Sequence, residues 1–450
     1  MTHFSFRKLP AWLLVGGLIS SVPVHAQFTW NNLPAAPYNG AKQDGVFFLN
    51  KDTGWVVNGS GRIHRTLDGG TTWVQQANSP GTYFRAVAFM NEQVGFAGNI
   101  GPDYFPNVSD THPLYRTVDG GNSWVDVTST ISGPVPTGIC AIEVVNEQVI
   151  YAGGRVGGPA TIIKSTDGGN TWSGSGLEPL CAMILDIHFR SPDTGYVFTG
   201  TSLNVASSSA RILRTTDGGA SWSTVYTSTR PFELMWKASF PSPMVGYATI
   251  QSYNSNTTQR YVVKTTDGGA TWNELPLVNT GIREFGIGFI NDTIGWVGGE
   301  TTGYETLDGG LTWTAKNIGQ YANKFSIVRN PDGSTTAYAV GLRLFKMTTD
   351  LSASTPELRP DAAVPILFPN PVRAGSMMAV SLEKVGARIT GAEMIAADGK
   401  VVNLLFTGPY PGVHESPFML SVPTVPTGTY TIRFLKADGD TILQRLVIID

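Results

Sequence analysis

The stretch RTLDGGTTW (65–73) returns five more times, as RTVDGGNSW (116–124), KSTDGGNTW (164–172), RTTDGGASW (214–222), KTTDGGATW (264–272) and ETLDGGLTW (305–313). A catalytic site is normally built once, so a device written six times points to scaffolding. The aspartates of this box are Asp68, Asp119, Asp167, Asp217, Asp267 and Asp308, spaced 51, 48, 50, 50 and 41 residues apart, the period of propeller blades and other repeat arrays. Each box has the chemistry of a tight reversal between two strands. The aspartate accepts hydrogen bonds from N–H groups of its own turn, and the glycines reach positive φ. The hydroxyl before the tryptophan adds a further bond. Trp73, Trp124, Trp172, Trp222, Trp272 and Trp313 each bring an apolar face to their own strands. The box aspartates are therefore read as structural, and Asp217→Ala is expected to leave buried turn donors unpaired.

The similarity runs upstream of each box. VFFLNKDTGWVVNGSGRIHRTLDGG (46–70), AVAFMNEQVGFAGN (86–99), DIHFRSPDTGYVFTG (186–200) and IGFINDTIGWVGGETTGYETLDGG (287–310) share an apolar run, a polar turn and a Gly-aromatic run. With the strands on either side of the box, each unit has four short strands, the signature of one blade. A seventh unit, AYAVGLRLFKMTTD (337–350), reaches Asp350 but has no Gly-Gly and no Trp after it. Its missing fourth strand stands at the other end, where FTWNNLPA (28–35) mirrors ATWNELPL (270–277). The expected fold is thus all-β: a seven-bladed β-propeller over 27–350, closed by its N-terminal strand, which leaves no free sheet edge. With 52 glycines, 28 prolines and only 14% charged residues in 450, the composition suits strands and turns over long helices. A formal charge of −3 argues against nucleic acid as a partner.

At these residues, over about 28–350, the chain resembles the Asp-box (BNR-type) propellers, and within them the photosystem II assembly and stability factor-like family. The resemblance is specific for fold. Asp boxes also occur in sialidases, sortilin-type receptors and some xyloglucan hydrolases, so it implies no single activity.

The two termini read as addresses. Arg7 and Lys8 precede an apolar run over 11–24 and the cleavage-like Val24-His25-Ala26, so 1–26 is expected to be a signal peptide. No later segment is long and apolar enough for a transmembrane helix. LSASTPELRPDAAVP (351–365) is linker-like, with the linker proper assigned to 351–364. From 365 to 450 short alternating runs suggest a small C-terminal β-sandwich. Its Pro369-Asn370-Pro371, Asp398-Gly399-Lys400, Gly428-Thr429-Tyr430 and basic-apolar ending resemble the C-terminal sorting domain of the type IX secretion system of Bacteroidetes. Gln444-Arg445 stands where that family usually has Lys. The resemblance implies passage through the periplasm to the outside or the cell surface, with the type IX machinery as a partner of 365–450.

Chemistry is sparse. No arginine motif of sialidases appears near the N-terminus, none of the six histidines has metal-ligand spacing, and no phosphate-cradling glycine motif is present, so neither metal nor cofactor is expected. Two carboxylates facing each other across the channel would suffice for glycoside hydrolysis, which spacing cannot show. The variable loops are more informative. The second-to-third loops over 98–113, 153–160, 199–210 and 251–259 should crowd the face opposite the boxes. There Arg85, Tyr104, Trp236, Lys237, Arg283, Phe285 and Lys324 offer a basic and aromatic rim for a protein or glycan ligand, or else serve ordinary packing. Cys140 and Cys181 precede neighbouring innermost strands and form either a disulfide or two buried thiols. The function expected is a non-catalytic binding or assembly propeller; the alternative is a secreted glycoside hydrolase.

Overall fold

The computed structural model describes residues 28–350, except 39, 41, 103, 104 and 106, and residues 366–449, except 369, 371, 382–388, 396–400, 408–417 and 437–440. Residues 1–26, expected to be a signal peptide, residues 351–364, expected to be a linker, Tyr104, Pro369, Pro371 and Asp398-Gly399-Lys400 lie outside these described residues. The chain falls into two compact units, one running to 328 and including 336–349, the other comprising 329–335 and the residues from 350 onward. Apart from two 3-10 turns, Thr128–Thr130 and Val205–Ser207, every described element is a strand.

Seven antiparallel sheets follow one another in the first unit. The first is typical: Gln43–Phe48, Gly54–Asn58, Arg62–Thr66 and Val74–Asn78 lie side by side in chain order. The third gains a fifth strand, because Ile131–Ser132 adds in parallel to Trp172–Gly176. In the seventh, Lys324–Arg329, Ser334–Val340 and Leu344–Asp350 take their fourth strand from the N-terminus, with Asn31 opposite Lys346 and Asn32 opposite Phe345. From the first sheet to the sixth each shares an apolar cluster with the next, Trp30 packs on both Trp296 of the sixth and Phe325 of the seventh, and the first sheet shares a cluster with the seventh through Val46, Phe48, Val328 and Tyr338. The ring is closed, a β-propeller.

The Gly-aromatic run now has a physical reason. A Cβ on Gly54 would stand 2.4 Å from the ring of Phe48, so only glycine lets that ring lie flat on its own sheet. From the other side the aromatic of the preceding sheet stacks on it: Tyr338 on Phe48 at 3.4 Å, Trp55 on Phe89 at 3.5 Å, Tyr151 on Phe189 at 3.5 Å and Tyr247 on Phe289 at 3.7 Å. The same residue pattern that shapes one sheet thereby docks it to the next.

Each box is a closed set of bonds. In the fourth sheet Asp217 accepts from the Ser221 N–H (2.9 Å) and hydroxyl (2.5 Å), and the buried Thr215 hydroxyl donates to Asp217 (2.8 Å) while accepting from Gly219 N–H (2.9 Å). The Ser221 hydroxyl and N–H hold the Asp217 carboxyl down at about 2. The carboxylate and these donors are exposed, which corrects the expectation of buried donors; the buried hub is Thr215. The first box glycine also ties the sheets together. Its carbonyl receives a donor from the preceding sheet, Lys264 to Gly309 at 2.9 Å and Lys346 to Gly69 at 3.0 Å. The sixth sheet has Glu305 where the others have Lys or Arg. The seventh unit lacks the Gly-Gly acceptor, and Glu305 instead takes the Trp296 indole N–H at 2.7 Å. Phe28 and Trp30 pack edge-on against Trp296 at 5.5 and 5.2 Å, filling that junction.

Cys140 and Cys181 are both free and buried. Cys140 packs with Ile100, Met183 and Trp236, whereas Cys181 belongs to the cluster of Ala160, Leu177 and Ile184, so the considered bond is not made. Burial pushes the Cys181 thiol up to about 11.

In the second unit two sheets share one core. Ile366–Phe368, Met377–Ser381, Phe418–Ser421 and Leu405–Thr407 form one; Val372–Arg373, Thr441–Ile449, Gly428–Lys436, Ile389–Ile395 and Val401–Asn403 form the other. Met378, Val380 and Leu420 meet Met394, Ile432, Phe434 and Leu446 between them, a β-sandwich. Asn370 accepts from the Val447 N–H at 2.9 Å, tying the start of this unit to its last strand.

Candidate functional site

The innermost strands, Gln43–Phe48, Phe84–Phe89, Ala141–Val144, Asp186–Phe189, Glu233–Ser239, Glu284–Phe289 and Lys324–Arg329, surround the propeller axis. Cavities follow one another along it. At the mouth, opposite the boxes, a cavity of about 210 Å³ is bounded by Lys42, Tyr83, Arg85, Trp236, Arg283 and Phe285, among others. A throat of about 20 Å³ carries Asp44, Arg85, Lys237 and Lys324. Toward the boxes it widens to a vestibule of about 530 Å³ with apolar walls, Glu143, Glu147 and His188.

Six of the seven sequence-predicted rim residues are brought to this axis; Tyr104 lies outside the described residues. Arg85 ion-pairs with Asp44 and lies 5.5 Å from the Trp236 ring centroid. The Trp236 indole donates to Asn323 at 3.0 Å, and Asn323 donates to the Asp44 carbonyl at 3.2 Å, so three sheets are locked at one level. Lys237 is buried and reaches Asp186 at 3.3 Å and the Leu185 carbonyl at 2.8 Å. Lys324 reaches the same Asp186 oxygen at 3.6 Å. Arg283, 45% exposed, lies 4.9 Å from the Tyr253 ring centroid and 3.8 Å from Glu300, and Phe285 receives Lys42 over its face at 5.2 Å. Tyr83 stacks on Phe105 at 4.7 Å.

The acids near the mouth are committed. Burial would raise the Asp44 carboxyl, but Lys42 and Arg85 with the Tyr83 hydroxyl hold it below its usual range. Asp186 is likewise held down against burial by Lys237 and Lys324, and its second oxygen takes the Ala238 N–H at 3.1 Å. Glu233 is buried and paired with Arg230 at 2.5 Å. Burial pushes Glu284 up to about 8, because Arg260 spends its donors on the carbonyls of Thr257, Gln259, Gly281 and Ile282 and stands 3.7 Å from the carboxylate.

Sequence reading missed Lys42, Asp44, Tyr83, Asp186 and Asn323. A signal existed: aligned on the apolar residues Phe48, Phe89, Phe240, Phe289 and Val328, the position four residues earlier holds Asp44, Arg85, Trp236, Phe285 and Lys324. That register is the mouth.

These features define a β-propeller with a cationic and aromatic channel mouth. Among solved structures the chain is similar to YCF48 bound to D1 peptide, with TM-score 0.52 and 17% identity over 72% of this chain and 98% of that one. It is also similar to YCF48 from Cyanidioschyzon merolae, with TM-score 0.50 and 16% identity over 71% and 98% of the two chains. A GH74 xyloglucanase from Xanthomonas campestris gives TM-score 0.52 and 14% identity over 94% and 75%. At these identities the likeness is one of fold. The sequence matches no protein-family model and no curated protein.

Proposed function

We propose that the chain is an exported, non-catalytic binding or assembly propeller of the Asp-box kind, whose mouth takes a protein segment. One observation carries this reading: the mouth offers partly exposed Arg283 and Lys42 among aromatic rings, while Asp44, Asp186, Glu233 and Glu284 are buried. Glycoside hydrolysis needs two carboxylates that reach the substrate. The neighbour solved with a peptide bound supports a peptide ligand. Affinity capture of a surface-protein extract by the full chain tests it. Arg283→Ala should lose the captured partner at unchanged melting temperature; capture that survives this change would argue against the mouth.

The second reading, a glycoside hydrolase, draws on Glu143 and Glu147, which border the vestibule. Release of reducing sugar from xyloglucan or a sialylated glycan, lost in Glu143→Gln, would replace the first reading.

The tail motifs support export by the type IX system, with 365–450 as the sorting domain and delivery through the periplasm to the surface or medium. Deleting 365–450 should strand a folded propeller in the periplasm. Normal surface delivery of the truncated chain would remove that assignment.

A further inference from the structure

Two loops wall one side of the mouth, 253–258 and 280–283, and they carry Tyr253 and Arg283. One buried side chain fastens them together. Arg260, 3% exposed, donates from Nη1 to the Thr257 carbonyl at 2.9 Å and the Gln259 carbonyl at 3.1 Å. Its Nη2 donates to the Gly281 carbonyl at 3.0 Å and its Nε to the Ile282 carbonyl at 2.6 Å. In return the Gly281 N–H donates to the Thr258 carbonyl at 2.9 Å. Glu284 is fully buried beside this clasp. Its Oε2 accepts the Ser252 N–H at 3.3 Å, while its Oε1 has no hydrogen-bond partner and stands 3.7 Å from Arg260 Nε. Nε carries one hydrogen, so it serves either the Ile282 carbonyl or the carboxylate.

We infer that Arg260 and Glu284 form a pH-operated clasp on these loops, which holds the mouth while Glu284 is neutral and loosens it when Glu284 ionises. Its bearing on ligand binding rests on the reading of the mouth as the binding site. A neutral carboxyl leaves the guanidinium to the carbonyls. An ionised one, with an oxygen unbonded in this interior, is costly until it gains a donor, and Arg260 Nε–H is within a small movement. Taking it strips the Ile282 carbonyl and draws Nη2 from Gly281. Arg283, next in the chain, then loses its placement 4.9 Å from the Tyr253 ring centroid and 3.8 Å from Glu300.

Glu284 is faced by Arg260 from Gln259–Thr265, by Glu233 from Glu233–Ser239 and by the Ser252 N–H from Gly246–Ser252. Arg230 and Glu274 pair behind Glu233, and Arg283 and Glu300 stand at the end of the sheet that holds Glu284. Burial and the charge of Glu233 oppose ionisation more than Arg260 favours it, which leaves the carboxyl at about 8. The clasp is therefore shut at neutral pH and opens as pH rises through 8.

Hydrogen exchange on the full chain, with no ligand present, tests the clasp separately from the mouth. The protection factor of the Gly281 amide should hold from pH 6 to 7 and fall as pH passes 8. The loss at pH 9 should be on the order of tenfold, the ratio of ionised to neutral carboxyl one unit above its pKa. Glu284→Gln should keep its protection across the range, and Arg260→Gln should lack it at every pH. Should Arg260→Gln fail to fold, Glu284→Gln alone decides. Constant protection from pH 6 to 9, or the same loss in Glu284→Gln, would overturn the inference. Partner capture that survives Arg283→Ala would remove the mouth reading, while the exchange of Gly281 still decides the clasp.

Discussion

At the box end of the propeller six turns repeat one set of bonds, those of Asp217 with Ser221 and Thr215 being typical. At the mouth no such repetition holds. The register four residues before the aligned apolar residues Phe48, Phe89, Phe240, Phe289 and Val328 carries Asp44 in the first sheet, Arg85 in the second, Trp236 in the fifth, Phe285 in the sixth and Lys324 in the seventh. Each box turn is closed by local bonds, among partners within four residues of one another, and what reaches it from the neighbouring sheet is again one repeated contact, to the carbonyl of the first box glycine. The mouth is assembled from residues up to 279 positions apart, as in the bond from Asn323 to Asp44. A repeat that must close a ring keeps its turns alike, and the end with unlike side chains is where recognition can be specific.

Experiments that strike the ring, the mouth and the box separately sharpen this contrast. The largest loss is expected from Phe289→Ala, which removes a buried ring stacked on Tyr247 at 3.7 Å; denaturant unfolding should show about 3–5 kcal/mol less stability. A loss under about 1 kcal/mol would mean that the stacks between sheets do not hold the ring.

Glu284 comes next. Its folded pKa of about 8 lies above the unfolded value of 4.5, so the folded chain binds this proton more tightly. The resulting stability is fully present below pH 4.5 and is lost as pH rises through 8. Glu284→Gln, which stays neutral, should match the parent at pH 4.5 and exceed it at pH 9 by roughly 2–4 kcal/mol. Equal melting curves at both pH values would show the carboxylate to be ordinary.

The box itself should yield less. Thr215→Ala, which removes the buried hydroxyl and orphans the half-buried Gly219 N–H, should cost about 1–2 kcal/mol. Asp217→Ala should cost less than that, since Ser221 can turn to water, and its contribution should fade as pH falls from 4 toward 2. If the aspartate change proved the more damaging, the buried hydroxyl would not be the hub. The smallest signal is chemical: the denatured, non-reduced chain should titrate with two free thiols, and none would restore the Cys140–Cys181 bond.

The ring and its closure were legible because a repeat advertises itself. Six boxes at a near-constant period, and the match of 28–35 to 270–277, are patterns along the chain. The rim was partly legible, since Arg85, Phe285 and Lys324 stand in the first two residues of innermost strands. Asp44 was not, because an acid among basic neighbours looks like an ordinary strand start until Arg85 and Lys42 are seen against it.

The sequence by itself determined the units, their boxes and the strand that closes the ring, all of which rest on contacts between residues near in the chain or on copied words. Only the tertiary structure decided which charges meet on the axis, that the two thiols face different cores, and that Asp44, Asp186, Glu233 and Glu284 are sealed away. Those outcomes depend on how seven sheets are rotated against one another, and pairing across an axis leaves no period in the chain to read.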